Sequence, residues 1–371
     1  MAKEPLRTAL YDEHLRLNGR MVPFAGWELP VQYDGLGPTV EHEAVRKDAG
    51  LFDIDHMGQV EVTGAGALAF LQSLQVGDIA GMADNDARYS LMCYADGGVV
   101  DDIFIYRLAA DRWWVIVNAA NRSKDVAWMQ AHATGFDVAV TDISDVTYML
   151  ALQGPKAQPI LQKLTPADLN SMPFHTCLRA EVAGIPTLIG ATGYTGEYGY
   201  ELFFPAERAV TMWRTILEAG QDQGLLPCGL AARDSLRFEP CLPLYGHEIG
   251  PDTNPISARL GWAVSFDKGD FVGRDALLKV KLEGPSQLLA GFEMVDKGVP
   301  RPDYPVAVDG QVVGRVTTGM KSPTTGRFVG LALVPAGWAK LGSELDIVIR
   351  DQPKRAKVVK RPFYVAAYRR K

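Results

Sequence analysis

Two adjacent carboxylates, Asp101 and Asp102, follow Gly97-Gly98-Val99-Val100 and run into Ile103-Phe104-Ile105-Tyr106. Strand side chains alternate, so the two acids point to opposite faces, and apolar residues on both faces indicate a sheet covered on both sides. At least one of the acids is then withdrawn from water. Such a carboxylate needs hydrogen bonds or a task, and its proton affinity is shifted toward acid-base work. The competing reading is an acid that caps a Gly-Gly turn.

Two further segments carry chemistry. Gly190-Ala191-Thr192-Gly193-Tyr194-Thr195-Gly196-Glu197-Tyr198-Gly199-Tyr200-Glu201 combines a tight turn, stacking aromatics and two acids. Its glycine spacing is not that of a dinucleotide-binding turn. Tyr194 could lie against a flat ring, and Glu201 could accept two parallel hydrogen bonds from a guanidine-like heterocyclic edge, or else face solvent as an edge-strand acid. In Gly229-Leu230-Ala231-Ala232-Arg233-Asp234-Ser235-Leu236-Arg237-Phe238-Glu239 a helix places Arg233 and Arg237 on one face. Arg233 could grip a planar acceptor of a ligand, or both arginines could pair with Asp234, Glu239 or an acid elsewhere. His56 could be a base, or a satisfied core histidine.

Elements that position these groups can be read along the chain. Helices are expected at Thr8 to Leu17 and Thr39 to Asp48, with an aromatic loop, Phe24-Ala25-Gly26-Trp27-Glu28-Leu29-Pro30, between them. A strand at Gln59 to Val62 and a helix at Ala65 to Leu74 precede a hairpin of Tyr89 to Tyr94 and Val100 to Tyr106. A strand follows at Trp113 to Asn118, and Asn121 caps a helix through His132. Helices beginning near Pro155, Pro205 and Leu230 alternate with strands at Tyr148 to Gln153, Glu181 to Gly190 and Gly199 to Phe204. After Glu283-Gly284-Pro285 come short strands and an Asp309-Gly310 hairpin signal, the texture of a small barrel or sandwich.

Composition narrows the class. With 371 residues, two or three domains are expected; 47% hydrophobic and 22% charged residues describe a soluble globular protein. No run of about 18 apolar residues occurs, and Met1-Ala2-Lys3-Glu4-Pro5 lacks a signal-peptide core, so no membrane span and a cytoplasmic location are expected. Cys93, Cys177, Cys228 and Cys241 have no zinc-type spacing with each other or with histidine, and are expected to be buried reduced thiols without a metal. The net charge of −6 argues against nucleic acid. From Pro285 onward 15 basic residues face 7 acidic ones, against 23 and 37 before it, so the C-terminal part is either a solvated basic surface or an attractor of an anionic substrate or partner. Phosphate-loop, His-Glu-x-x-His and Gly-x-Ser-x-Gly motifs are absent from the sequence.

Taken in order, Met21-Val22-Pro23-Phe24-Ala25-Gly26-Trp27-Glu28, His56-Met57-Gly58, the Gly-Gly-x-x-Asp-Asp run, Leu152-Gln153-Gly154-Pro155, Gly193-Tyr194-Thr195-Gly196-Glu197, Ala232-Arg233-Asp234 and Leu244-Tyr245-Gly246 resemble the glycine cleavage T-protein family of tetrahydrofolate-dependent aminomethyltransferases over nearly the whole chain. The resemblance implies an α+β fold of three domains around a central opening. These are a discontinuous folate-binding domain of 1–53 with 146–275, an inserted α+β domain of 54–145 carrying the catalytic aspartate, and a C-terminal β-barrel of 285–371. It implies that a lipoylated H protein presents an S–CH2–NH3+ adduct and that tetrahydrofolate takes its carbon. The products are 5,10-methylene-tetrahydrofolate, ammonia and the dihydrolipoyl arm, with no metal or flavin required. By motif position Asp102 resembles the catalytic acid, with Asp101 structural; Tyr89, Met57, Asn118 and Tyr194 resemble folate-site wall residues, Glu201 the pterin-binding acid, Arg233 a folate-binding arginine, and Arg370 a C-terminal arginine that reaches back to the site.

The chain departs from the family pattern at Asp55, Tyr198, Phe238-Glu239-Pro240-Cys241-Leu242-Pro243 and Ala258, all near the implied cavity, which bears on the one-carbon donor more than on folate. Two alternatives follow from the same resemblance. One is a paralogous folate-dependent methyltransferase (demethylase) acting on a small methyl donor. The other is a non-enzymatic folate-binding accessory protein, whose Lys-Gly-Cys-x-x-Gly-Gln-Glu motif is replaced here by Lys268-Gly269-Asp270-Phe271-Val272-Gly273-Arg274-Asp275.

Overall fold

The strand Thr147–Gln153 shows how the chain is layered: Tyr148, Leu150 and Leu152 enter one apolar cluster while Met149 and Ala151 enter another. A period of two with apolar residues on both sides is what a strand covered on both faces requires. The computed structural model describes residues 4–367. Thr147–Gln153 lies inside a six-stranded sheet, in the order Cys177–Val182, Ile185–Gly190, Gly199–Pro205, Thr147–Gln153, Ala49–Asp53, Leu225–Pro227. One face is closed by the helices Ala157–Gln162 and Ala209–Gly220, with Trp213 fully buried.

A five-stranded sheet, in the order Ala87–Cys93, Val99–Ala109, Arg112–Val117, Gly58–Thr63, Ala139–Asp142, packs its own core of Ile103, Ile105, Val115 and Phe70 under the helices Ala67–Leu74 and Arg122–His132. Its other face joins the six-stranded sheet: Tyr106 and Ile116 share a cluster with Met149, Ala151 and Phe203. Each fully buried side chain of this kind contributes roughly 1.5–3 kcal/mol, against about 0–1 kcal/mol for a surface ion pair. The seam, and not surface charge, therefore fixes the two sheets relative to each other. A closed six-stranded barrel follows, built from strands between Gln287 and Val359. No helix among the described residues is long and apolar enough to cross a membrane.

Three expectations need correction. The segment 181–190 is not one strand: it holds the end of the strand Cys177–Val182, a turn at Ala183 (φ 51) and Gly184 (φ 71), and the strand Ile185–Gly190, which pairs back on the first. The aromatic segment 24–30 is not a loop: Gly19–Phe24 and Trp27–Tyr33 pair across a two-residue Ala25-Gly26 turn. Finally, regular alternation would put Val99 on the face of Asp101, Ile103 and Ile105 and Val100 on that of Asp102 and Phe104, but Met92 pairs with Asp101 and Cys93 with Val99, so Val100 is an extra residue, a bulge that resets the alternation. Val100 therefore joins Ile103 and Ile105, and Val99 enters a different cluster. All four cysteines are free, three of them buried and Cys241 partly so.

Candidate active site

Asp96, and not either acid of the pair, closes the Gly-Gly turn, its Oδ1 accepting the Gly98 N–H at 3.0 Å. A Cβ at Gly98 would overlap the Pro251 carbonyl oxygen, so glycine is needed there for the turn to seat against that loop. Beyond the bulge the two acids diverge. Asp101 is fully buried and accepts from the Asn118 N–H (2.8 Å), Asn118 Nδ2 (2.9 Å) and Asn121 Nδ2 (2.7 Å). The Asn121 side chain, expected to cap the following helix, is engaged here and makes no cap hydrogen bond.

Asp102 faces a cavity of about 740 Å³ lying between the two sheets, the helix Leu230–Phe238 and the loops leading to the barrel. Tyr89 Oη donates to its Oδ2 at 3.1 Å and Asn118 Nδ2 to its Oδ1 at 2.7 Å. Burial first, and then the neighbouring Asp101 charge, push the Asp102 carboxyl up to about 7, while Asn118 and Tyr89 favour the ionised form. The direction follows from a carboxyl desolvated at the end of the strand with a second carboxylate beside it.

Glu201 lies on Gly199–Pro205, an inner strand of its sheet, so the solvent-facing edge reading does not hold. Its Oε2 accepts from Thr192 Oγ1 (2.5 Å) and Tyr106 Oη (3.2 Å), and Oε1 accepts nothing from the described residues. Burial raises its pKa, opposed by Thr192 and the Arg233 charge. Tyr106 sits four residues beyond Asp102 on the same strand, so one strand supplies both the acid and a support of the second acid.

The loop carrying Tyr194 is pinned by Gln153, which donates to Thr192 O (3.0 Å) and accepts from Thr195 Oγ1 (2.9 Å); a Cβ at Gly193 would overlap the Gln153 amide. Tyr194 Oη donates to Pro243 O, and its ring lies 4.8 Å from the Arg233 guanidinium. The guanidinium of Arg233 has no hydrogen bond or ion pair among the described residues, whereas Arg237 pairs with Asp234 (2.8 Å) and Glu248 (2.7 Å). The two arginines thus divide the two readings offered for them. Burial lowers the Arg233 pKa, opposed by Tyr194 and Glu201.

Met57, Tyr89, Asp102, Asn118, Tyr194, Glu201 and Arg233 all line the one cavity. Arg370 lies outside the described residues. His56 also lines it, 2% exposed, with Nδ1 unpartnered and its pKa pushed down to about 3 by burial and Arg233, so it is neutral and a weak proton acceptor at ordinary pH. Sequence reasoning passed over Thr192 and Tyr106, which hold Glu201, and the rim residues Arg259, Trp262 and Arg361. The first two stood within or beside the segments singled out; nothing local marks the rim residues. No group of three or more metal-ligating side chains occurs among the described residues.

The chain matches the model of the GCVT N-terminal domain over residues 10–268 and that of the glycine cleavage T-protein C-terminal barrel domain over 288–364. It is 50% identical to an aminomethyltransferase of Symbiobacterium thermophilum, covering 98% of each chain. It is also 50% identical to an aminomethyltransferase of Herpetosiphon aurantiacus, covering 98% of this chain and 99% of that one. The crystal structure of the glycine cleavage system aminomethyltransferase T from Bartonella henselae superimposes with a TM-score of 0.91 at 33% identity, covering 97% of this chain and 98% of that one. With both family models matched in order and relatives aligned end to end, the chain belongs to the glycine cleavage T-protein family.

Proposed function

We propose that this chain is an aminomethyltransferase that moves the one-carbon unit from the S–CH2–NH3+ arm of a lipoylated H protein to tetrahydrofolate. The observation that carries the reading is Asp102, held by Tyr89 and Asn118 in the wall of the same cavity that Glu201 and Arg233 line. A reduced pterin fits these residues. Glu201 Oε1 is free to accept from paired N–H groups, the Arg233 fork is uncommitted, and Tyr194 offers a flat face. Bound tetrahydrofolate supplies the amine nitrogens that accept the carbon, leaving 5,10-methylene-tetrahydrofolate, ammonia and the dihydrolipoyl arm.

The chain's own part is electrostatic. Asp102 sits with its proton affinity near neutrality, so it can take a proton from an amine or stabilise positive charge developing beside it. Tyr89 and Asn118 fix its two oxygens, and Asn118 also bridges to Asp101, whose role in this reading is structural. Glu201 orients the heterocycle by its edge and Arg233 holds a carbonyl or carboxylate of the ligand. In this proposal the chain divides into 1–53 with 146–275, 54–145 and 285–371, supported by the separate sheet or barrel in each span. A cytoplasmic site of action belongs to the same proposal.

Transfer from reduced, aminomethylated H protein to tetrahydrofolate tests it. Formation of methylene-tetrahydrofolate and ammonia is expected. Folate binding without transfer from the carrier, but with transfer from a small methylated donor, would favour the paralogous methyltransferase. A non-enzymatic accessory role is not supported, since Asp270 stands where that motif has cysteine.

A further inference from the structure

Asp125, in the first turn of the helix Arg122–His132, is fully buried, and neither of its oxygens accepts a hydrogen bond among the described residues. Lys124 Nζ comes within 3.0 Å of its Oδ1 but donates to the Val100 carbonyl, which ties the helix start to the bulge. A buried carboxyl without donors is costly when ionised. Protonated, it becomes an O–H donor in need of an acceptor. The acceptor in reach is Asp101, on the strand that this helix covers.

Asp101 has room for one more donor. An ionised carboxylate offers about four lone-pair sites, and the Asn118 N–H, Asn118 Nδ2 and Asn121 Nδ2 take three of them. The titratable groups facing Asp125 are Asp101 from the strand, Lys124 from its own helix, and Tyr245 from the loop beyond the helix Leu230–Phe238, whose Oη donates to Val99 O at 3.3 Å. Lys124 is the one cation set against the three carboxyls of Asp101, Asp102 and Asp125, so ionising Asp125 adds a charge that nothing beside it offsets. Burial first, and then Asp101, push the Asp125 carboxyl up to about 9, opposed by Lys124, in agreement with the hydrogen-bond count.

This contact reaches the reacting acid through one amide. Asn118 Nδ2 has two hydrogens and directs them at Asp101 Oδ1 (2.9 Å) and Asp102 Oδ1 (2.7 Å). A displaced Asp101 therefore turns the amide that orients Asp102. We propose that Asp125 is a positioning residue for the transfer: its carboxylic acid donates to Asp101, and that bond locks the Asn118 amide and, through it, Asp102. The proposal rests on the transfer reading above and adds to it a residue outside the cavity wall. Above about pH 9 the acid ionises, Asp101 and Asp125 repel, and the lock opens.

Transfer from the aminomethylated carrier to tetrahydrofolate across pH, with infrared spectroscopy of the protonated-carboxyl stretch, tests it on the full chain. Asp125→Leu keeps the bulk and loses the donor. It is expected to lower kcat about tenfold or more while the KM for tetrahydrofolate stays within about twofold, because Glu201 and Arg233 are untouched. Asp125→Asn offers an N–H to Asp101 and an oxygen to Lys124 without a titrating group. It should recover most of that kcat and carry the alkaline fall in kcat/KM at least about one pH unit above that of the unsubstituted chain. The unsubstituted chain should show a neutral-carboxyl band at neutral pH that Asp125→Asn lacks. If Asp125→Leu folds poorly, the Asp125→Asn profile and the band decide. Equal losses in the two variants, an alkaline limb that does not move, or a KM that rises in step with the fall in kcat overturns the proposal, as does an absent band with transfer intact. An unsubstituted chain that makes no methylene-tetrahydrofolate overturns the transfer reading instead, and the band still reports whether Asp125 holds its proton.

Discussion

Asp102 and Asp101 share a strand end but not an environment, and substitutions should separate them. Asp102→Asn keeps the shape and one acceptor oxygen, turns the other oxygen into an NH2 donor, and removes the titratable group. It is expected to bind tetrahydrofolate normally and to lose transfer by at least about 100-fold, the usual scale of positioned acid-base catalysis. Near-normal turnover in Asp102→Asn together with collapse in Asp101→Asn would mean that the wrong acid has been chosen. If the ionised form is the active one, kcat/KM should fall as pH drops below about 7. Asn118→Ala removes a donor that favours ionisation, so this acid limb should move to higher pH; a limb that stays put would disconnect it from Asp102. Asp55 offers the opposite sign. Burial, and then Asp53, push its carboxyl up to about 9, so between about pH 4 and pH 9 the folded chain holds a proton that the unfolded chain releases, and stability declines as pH rises. Asp55→Asn keeps an acceptor for the Met149 N–H and should melt a few degrees higher than the unsubstituted chain at pH 8, with the gap closing at pH 5. Equal melting at both values would contradict this. Asp102, Glu201 and Arg233 were legible because each sits in a dense local segment. Thr192, inside such a segment, was passed over because nothing in a sequence says which hydroxyl a buried acid will take.

Among elements, the helix Leu230–Phe238 does two jobs: its first turn presents Arg233 to the cavity, and Glu239 after its last turn anchors it to the barrel. Glu239 accepts from Arg46 Nη2 (2.9 Å), Ser322 Oγ (2.5 Å), Thr324 N (2.9 Å) and Thr324 Oγ1 (2.6 Å). Burial raises its pKa, but the His42 contact and these donors outweigh it and bring the carboxyl down to about 2. A depressed carboxylate contributes stability above its unfolded pKa, near 4.3, and loses it as pH falls toward 2. Glu239→Gln should therefore cost about 3–5 kcal/mol at pH 7, as broken buried pairs do, and flatten the acid arm of the stability curve. Denaturant titrations at pH 7 and pH 3 measure both, and an unchanged acid arm would refute the assignment. Turn chemistry explains which elements could be read in advance. The Asp309-Gly310 hairpin carries the acidic-glycine pair that left-handed turns favour, and it forms, with φ of 49 and 78. Ala25-Gly26 and Ala183-Gly184 adopt similar left-handed φ values with alanine in the first place, which gives no such signal, so both hairpins were missed. The Val100 bulge leaves no mark in composition either, because valine suits both a regular and a bulged position.

For the whole molecule, the charge asymmetry predicts a salt effect. The C-terminal part holds 15 basic residues against 7 acidic ones, and an acidic carrier steered toward it should show a KM that rises as ionic strength is raised from about 0.05 to 0.3 M. A salt-independent KM for the carrier would remove steering from its role. Barrel and α+β texture could be read from strand lengths and the break at Pro285. The cavity's mouth could not, because Arg259, Trp262 and Arg361 converge from segments that nothing but tertiary packing brings together. That convergence sets a temporal order. A chain made from its N-terminus at about 5–20 residues per second can form the two sheets well before the barrel exists. Yet Arg361 and the Tyr364 hydroxyl that meets Glu197 lie beyond the last barrel strand, Gln352–Val359. The pocket is thus finished only after the barrel has been made, and a chain cut short before its last barrel strand would have the strand of Asp102 but an open mouth.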